Sequence, residues 1–274
     1  MSAQASTAAV PVGQLLRDWR VRRRRSQLDL ALDAQVSTRH LSFVETGRAR
    51  PSRALLLSLG RLLELPLREC NQLLLAAGFA PRFAERALDA PPMREALQAV
   101  ARVLEAHDPY PAVAVDRHWN LLRANAAAAW MLAAVDPVLL ERPNVLRISL
   151  HPRGLAPAII NLGEWRHHIL ERLRGQVARS HDPDLGALLQ ELSGWAPLPG
   201  ETREHDESPL PEVVMLFRLR TAVGEVRLFS TMTVFGTPVE VTLSELALEA
   251  FYPADPESAA RLRQLAAGSN SAAG

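Results

Sequence analysis

Ser26 to Pro51 reads SQLDLALDAQVSTRHLSFVETGRARP, two short helices joined by a tight turn and followed by a basic loop. The apolar spacing Val36, Leu41, Val44 marks the inner side of a short helix and leaves Thr38, Arg39, Ser42 and Phe43 near the opposite face. Arg carries a rigid fork of donors that matches the two acceptors on a guanine edge, while hydroxyl and apolar side chains suit the remaining base edges. Ser37, Thr38, Arg39 and Phe43 are therefore the candidate base readers. Other chemistry is weaker. His167-His168 invites a metal, yet neighbours on a helix point about 100° apart and do not ligate one ion without a third group, so no metal is expected. His107, His118 and His151 read as polar helix ends or turns. No nucleophile elbow, P-loop or dinucleotide fingerprint occurs, so no catalytic residue is named and no enzyme or cofactor is expected.

Holding the candidate readers requires two helices and a turn. Gln27, Leu30, Ala31 and Ala34 have helical spacing, with the small Ala31 where a crossing helix must come close. Val36 fills the turn, and Ser37 is a natural N-cap, its hydroxyl accepting an amide two or three residues on. Gly47 stands where a helix end needs a left-handed residue, and Arg48, Arg50 and Arg53 flank Pro51, which restarts the chain. Before this stretch, Leu15, Leu16 and Trp19 predict a buried stripe on a helix over 12–24, with Arg17, Arg20 and Arg22 to Arg25 facing outward toward phosphates. After it, Ser52 caps a helix carrying Leu55, Leu56, Leu59, Leu62 and Leu63, and 67–77 is a fifth helix ended by Gly78. Cys70 reads as a small core hydrophobe among leucines.

The charge follows this division. Residues 1–79 carry twelve Arg against six acids, a net of +6, and the rest of the chain carries −5. The basic part is thus the nucleic-acid part. At 274 residues the chain can bury two cores. One cysteine, no signal-peptide pattern and no long apolar run give the expectation of a cytoplasmic protein without a membrane partner. The expected division is a disordered lead-in over 1–11, a DNA-binding bundle over 12–79, a proline-bearing linker over 80–92, a second domain over 93–257, and a short helix with a flexible tail over 258–274.

In the second domain a helix is expected over 93–107, then strands over 111–116 and 119–124, with Asn125 capping a helix over 126–134. A short connection over 144–150 precedes helices over 155–179 and 184–193, and 194–211 is an exposed loop. Strands follow over 213–220, 225–235 and 238–246. The fold class is α+β: a five-helix bundle, then a five-stranded antiparallel sheet with helices in a PAS-like layout.

The run Ser26-Gln27-x-x-Leu30-Ala31, Val36-Ser37, Leu41-Ser42-x-x-Glu45-x-Gly47-x-x-x-Pro51-Ser52 closely resembles the xenobiotic-response-element type of helix-turn-helix, the family of the phage repressors. The family usually has Gly in the turn, where this chain has Ala34-Gln35. The resemblance implies that Ser26, Gln27, Arg48 and Arg50 hold phosphates. The second domain resembles the ligand-binding domain of the MmyB-like transcription regulators over about 94–250. That likeness rests on Tyr110-Pro111-Ala112-Val113-x-Val115-Asp116-Arg117-x-Trp119, Asn125-x-Ala127, and His151-Pro152-x-Gly154-Leu155 leading to Asn161 and Trp165. It implies a PAS-like pocket for a small, largely apolar, fatty-acid-like effector. Trp130, Ile159, Ile160, Asn161, Trp165, Phe229 and Met232 are the expected pocket residues. The resulting expectation is a homodimeric, ligand-responsive regulator on a pseudopalindromic operator in double-stranded DNA, because one reading head makes too few base contacts for tight specific binding. The competing class is a protein-interaction module, such as an antitoxin, that uses the bundle for a protein partner.

Overall fold

The computed structural model describes residues 10–201, 214–235 and 240–272. The expected lead-in, most of the 194–211 loop and the start of the 213–220 strand lie largely outside the described residues. The described chain forms two compact units, one comprising residues 1–87 with 237–244, the other 88–236 with 245–274.

The first unit holds α1 (Val12–Arg22), α2 (Gln27–Asp33), α3 (Thr38–Glu45), α4 (Arg53–Leu62) and α5 (Leu67–Ala76). Their inner faces meet on Leu16, Trp19, Leu30, Leu41, Val44, Leu56, Leu59 and Leu73. Caps start the helices locally: Ser26, Ser37 and Ser52 accept from the amides of Asp29, His40 and Leu55. α1 passes so close to the end of α3 that a Cβ on Gly13 would lie 2.4 Å from the Val44 carbonyl oxygen, so only glycine fits there. Cys70 is buried, and burial followed by the Glu69 charge pushes its thiol up to about 11, as suits a core side chain. The unit runs past Gly78 to Ala87, which corrects the expected linker over 80–92. Buried Asn71 accepts from the Arg82 and Phe83 amides and donates to the Phe83 carbonyl, while Arg68 pairs with Glu85. The prolines at 91 and 92 open the next helix at its first positions, where the missing amide costs nothing.

The second unit contains α6 (Pro91–Glu105), β1 (Ala112–Val115), β2 (Leu121–Ala124), α7 (Ala129–Ala133), α8 (Pro137–Leu140), α9 (Val145–Leu150), α10 (Leu162–Ser180), α11 (Pro183–Ser193), β3 (Phe217–Thr221), β4 (Gly224–Val234), β5 (Ala247–Pro253) and α12 (Pro256–Ala272). The five strands form one antiparallel sheet in the order β2-β1-β5-β4-β3. The fold is thus α+β, a helical helix-turn-helix unit followed by a five-stranded antiparallel sheet with helices.

Several boundaries differ from expectation. The fifth strand is Ala247–Pro253; of the expected 238–246, residues 238–239 lie outside the described residues and Val241–Ser244 is a single helical turn. Its alternation Val-x-Val-x-Leu imitates a strand, but Glu240 caps the turn by accepting from the Leu243 amide. The stretch read as a connection over 144–150 is α9, started by Asn144 accepting from the Arg147 amide. The helix expected over 155–179 is broken: Ile159 forms a bridge with Leu219 and the Ile160 amide donates to Arg218, so α10 begins only at Leu162. The expected flexible tail is helical to Ala272, and fully buried Leu262 packs α12 against β4 and β5.

Candidate functional site

The geometry of the first unit is set by how its helices end. At α3 the Gly47 amide donates to Val44 and the Arg48 amide to Phe43, with Gly47 at φ 74°, so the chain leaves α3 through a left-handed residue. The same pairing ends α2, where Gln35 and Val36 donate to Leu32 and Ala31 and Gln35 sits at φ 56°. The position usually given to Gly is therefore left-handed here as well, occupied by a side chain. A left-handed non-glycine costs ~1–2 kcal/mol, and glycine's extra freedom when unfolded returns ~0.5–1 of that. Gln35→Gly is accordingly expected to stabilise the unit by ~0.5–1 kcal/mol in urea unfolding. A loss of stability would show that the Gln35 side chain contributes something its exposure does not reveal.

The outward face of α3 brings three candidate residues together. The exposed Arg39 guanidinium lies 5.2 Å from the Phe43 ring centroid and that of Arg48 lies 6.0 Å from it. The ring narrows the directions in which two cations can project. Thr38 is half-buried beside Arg39, and Arg50 is exposed. Two candidates are already committed within the unit. The Ser37 hydroxyl caps α3, and Gln27 Nε2 donates to Glu45 Oε2 at 2.7 Å. Ser26 caps α2 and its hydroxyl also donates to the Asp29 carboxylate at 2.7 Å.

Glu45 is what sequence reasoning missed. Its side chain is 1% exposed and accepts from Arg20 Nε at 2.6 Å and Nη2 at 2.9 Å, together with Gln27. This one carboxylate joins α1, the start of α2 and the end of α3. Arg17, Arg20 and Arg22 to Arg25 were grouped as a solvent face, yet Arg20 turns inward and Arg23 donates to the Leu63 and Glu64 carbonyls. The signal was available, since Arg20 falls next to Trp19 on the buried side of the α1 stripe.

In the second unit a cavity of about 70 Å³ lies between the sheet and α9 and α10. Val113, Phe217 and Phe251 come from the strands, Leu146 and Ile148 from α9, and Trp165 and Ile169 from α10. Its polar groups are Ser149, Arg172 and Glu249. Trp165 stacks on Phe217 with centroids 4.4 Å apart, and its Nε1 donates to Ser149 Oγ at 2.8 Å. Arg172 lies 3.3 Å from Glu249 Oε1, covers the Trp119 ring at 4.4 Å, and points a second nitrogen at the Met232 sulfur.

Of the seven expected pocket residues, Trp165 lines this cavity and the other six lie outside its lining. Phe229 and Met232 stand three apart on one strand, so they cannot share a face; Phe229 stacks on Tyr252 and Met232 is 37% exposed. Ile159 is buried beside β3, Ile160 donates its amide to Arg218, and Asn161 latches the same strand through the Leu216 carbonyl and the Arg218 amide. Trp130 is half-buried on α7. The missed walls came from α9, which had been read as a connection.

Among the described residues His118, Asp182 and Asp184 form one group of possible metal ligands, and His167-His168 is not part of it. His167-His168 splits as its spacing requires, with His168 stacked on Trp165 and its ring held below the usual range by burial, then by Arg172 and His167. His118 does approach Asp182 at 3.0 Å and Asp184 at 3.8 Å. Asp182 already caps α11 and faces Arg117 at 3.5 Å, so its charge is balanced within the protein.

The family matches of the two units, one to a helix-turn-helix domain and one to a ligand-binding domain, support a DNA-binding transcription regulator that answers to a ligand. Residues 96–265 match the MmyB-like transcription regulator ligand binding domain, more than half of the chain, and residues 11–73 match a helix-turn-helix domain. The chain belongs to the MmyB-like transcription regulators. No curated protein is similar enough to this chain to count as a match. No helix among the described residues is long and apolar enough to cross a membrane.

Proposed function

We propose that the protein binds a pseudopalindromic operator as a homodimer and releases or engages it in response to a fatty-acid-like molecule. The observation that carries the DNA reading is the Arg39, Phe43, Arg48 cluster on the outward face of α3. Arg39, half-stacked on Phe43, addresses a guanine edge, with Thr38 and the Ser37 region beside it, while Arg48, Arg50 and the Ser26–Gln27 end of α2 take phosphates. Arg39→Ala should weaken operator binding by ~1–3 kcal/mol and relax preference at one base pair, as read by fluorescence anisotropy on operator variants. Equal weakening on operator and random DNA would remove Arg39 from the base-reading set. A protein-interaction role for the bundle predicts no steep loss of DNA binding between 50 and 200 mM salt, whereas phosphate neutralisation requires it.

The effector reading rests on the cavity's apolar walls and on Arg172 as the one cation among its lining residues. A carboxylate at Arg172 would compete with Glu249 for the guanidinium. An engineered apolar cavity of about 150 Å³ holds benzene, so about 70 Å³ admits only the first few carbons of an acyl chain. Longer chains enter only as the walls part. A ligand that moves the walls has the differential affinity for two states that control requires.

A further inference from the structure

The cavity and the reading helix belong to different units, yet one stretch of chain serves both. β4 and β5 are neighbouring strands of the sheet, closed at their ends by the pair Val234 and Ala247. Of the residues that join them, the described 240–244 do not lie on the sheet. These five residues belong to the first unit. Glu240 is 6% exposed and its two carboxylate oxygens accept from the Arg86 amide at 2.8 Å and the Leu243 amide at 2.7 Å. The Val241 amide donates to the Ala84 carbonyl, Thr242 Oγ1 donates to the Arg86 carbonyl, and Val241 is fully buried. The helical turn Val241–Ser244 packs on α5, α5 packs on α1, and α1 packs on α3. This anchor is made of backbone hydrogen bonds and one buried carboxylate, which is far more than a surface loop needs.

On its other side the same segment is tied to the cavity. Ser244 is followed by Glu245 and Leu246, and then by β5, whose Glu249 and Phe251 line the cavity. Leu246 is 1% exposed and Ala247 pairs with both Val115 and Val234, so only Glu245 and Leu246 separate the anchor from the strand in the chain. A displacement along β5 has two sinks: it breaks ladder hydrogen bonds, or it pulls on 240–244.

We propose that the 240–244 segment is the control arm of this regulator, carrying the state of the cavity through β5 into the helix-turn-helix unit. This rests on the effector reading above for the identity of the trigger, and on the anchor alone for the route. The residues between Ala87 and Pro91 are then a second tether rather than the transmitting element.

The test uses the full chain and two insertions of Gly-Ser-Gly-Ser, one between Glu245 and Leu246, the other between Asp89 and Ala90. Octanoate is the probe, with its binding followed by calorimetry and operator affinity by anisotropy. The parent is expected to change operator affinity by ~5–150-fold on octanoate binding. The insertion after Glu245 should reduce that change to within about 2-fold while leaving octanoate binding intact, and the insertion after Asp89 should preserve most of it. A response lost only with the Asp89 insertion overturns the proposal. A second arm needs no ligand: Phe251→Leu perturbs the cavity from β5, and amide hydrogen exchange is read at Val241 and Leu243. Exchange there should quicken by about 5-fold or more in Phe251→Leu, and that difference should vanish when the Glu245 insertion is added. Unchanged exchange at both amides in Phe251→Leu overturns the route. Failure of octanoate to bind at all, with the exchange coupling present, overturns the effector reading and leaves the route standing.

Discussion

Glu45→Ala is expected to cost the first unit about 3–5 kcal/mol, the loss typical of removing one partner from a buried ion pair. Arg20 would keep its bond to the Arg25 carbonyl but lose both bonds to the carboxylate, leaving a cation that is 11% exposed without a counter-charge. Gln27 would lose its acceptor at the same time. A domain of this size holds ~5–15 kcal/mol in total, so the variant should melt at a much lower temperature and bind operator poorly for that reason. The companion experiment separates charge from packing: the double variant Arg20→Met, Glu45→Leu replaces the pair by apolar groups and should recover most of the stability. Amide hydrogen exchange in α1 and α3, which reports the first unit alone, reads both. If Glu45→Ala stays within about 1 kcal/mol of the parent, the carboxylate does not hold the three helices together and the orientation of α3 has another origin.

The bundle was legible because its determinants are local. Ser26, Ser37 and Ser52 each cap an amide three residues on, and Gly47 and Gly78 end their helices through bonds to the preceding turn. Periodicity and caps therefore suffice for α1 to α5, and even the turn at Gln35 departs only in residue type. The second unit turned on partners far away in the chain. VEVTLSEL and ALEAFYP alternate equally well, and the choice between them was made by pairing of Ala247 with Val115 and by Glu240 reaching Arg86, 154 residues apart. No window of residues contains that information. The lining of the cavity was hidden for a related reason. Its walls come from four strands and three helices, and the residues singled out by bulk, such as Phe229 and Trp130, point where strand alternation and helix phase send them. Arg172 and Glu249 were invisible as a pair because 77 residues separate them.

Trp165→Ala is the corresponding prediction for the second unit, with an expected loss of about 3–5 kcal/mol. Three contributions add. The indole leaves a hole in a wall already bordering the cavity, the stacked contact with Phe217 disappears, worth ~0.5–1.5 kcal/mol, and Ser149 Oγ loses its indole donor in a buried site. Because the chain has two units, a single unfolding free energy is not defined, and the loss should appear in calorimetry as a downward shift of one transition while the other keeps its place. Trp165→Phe sharpens the assignment: it keeps a ring against Phe217 and removes the donor to Ser149, so it should cost ~1–3 kcal/mol. The larger hole also changes what the cavity accepts. A cavity of about 70 Å³ bars all but short chains, whereas one enlarged by the missing indole admits a longer acyl chain without parting its walls. Decanoate should therefore restore more stability to Trp165→Ala than it adds to the parent, by mass action on the folded state. Equal shifts in the two proteins would mean that acyl chains do not lie against Trp165, and the effector would have to be sought elsewhere in the unit.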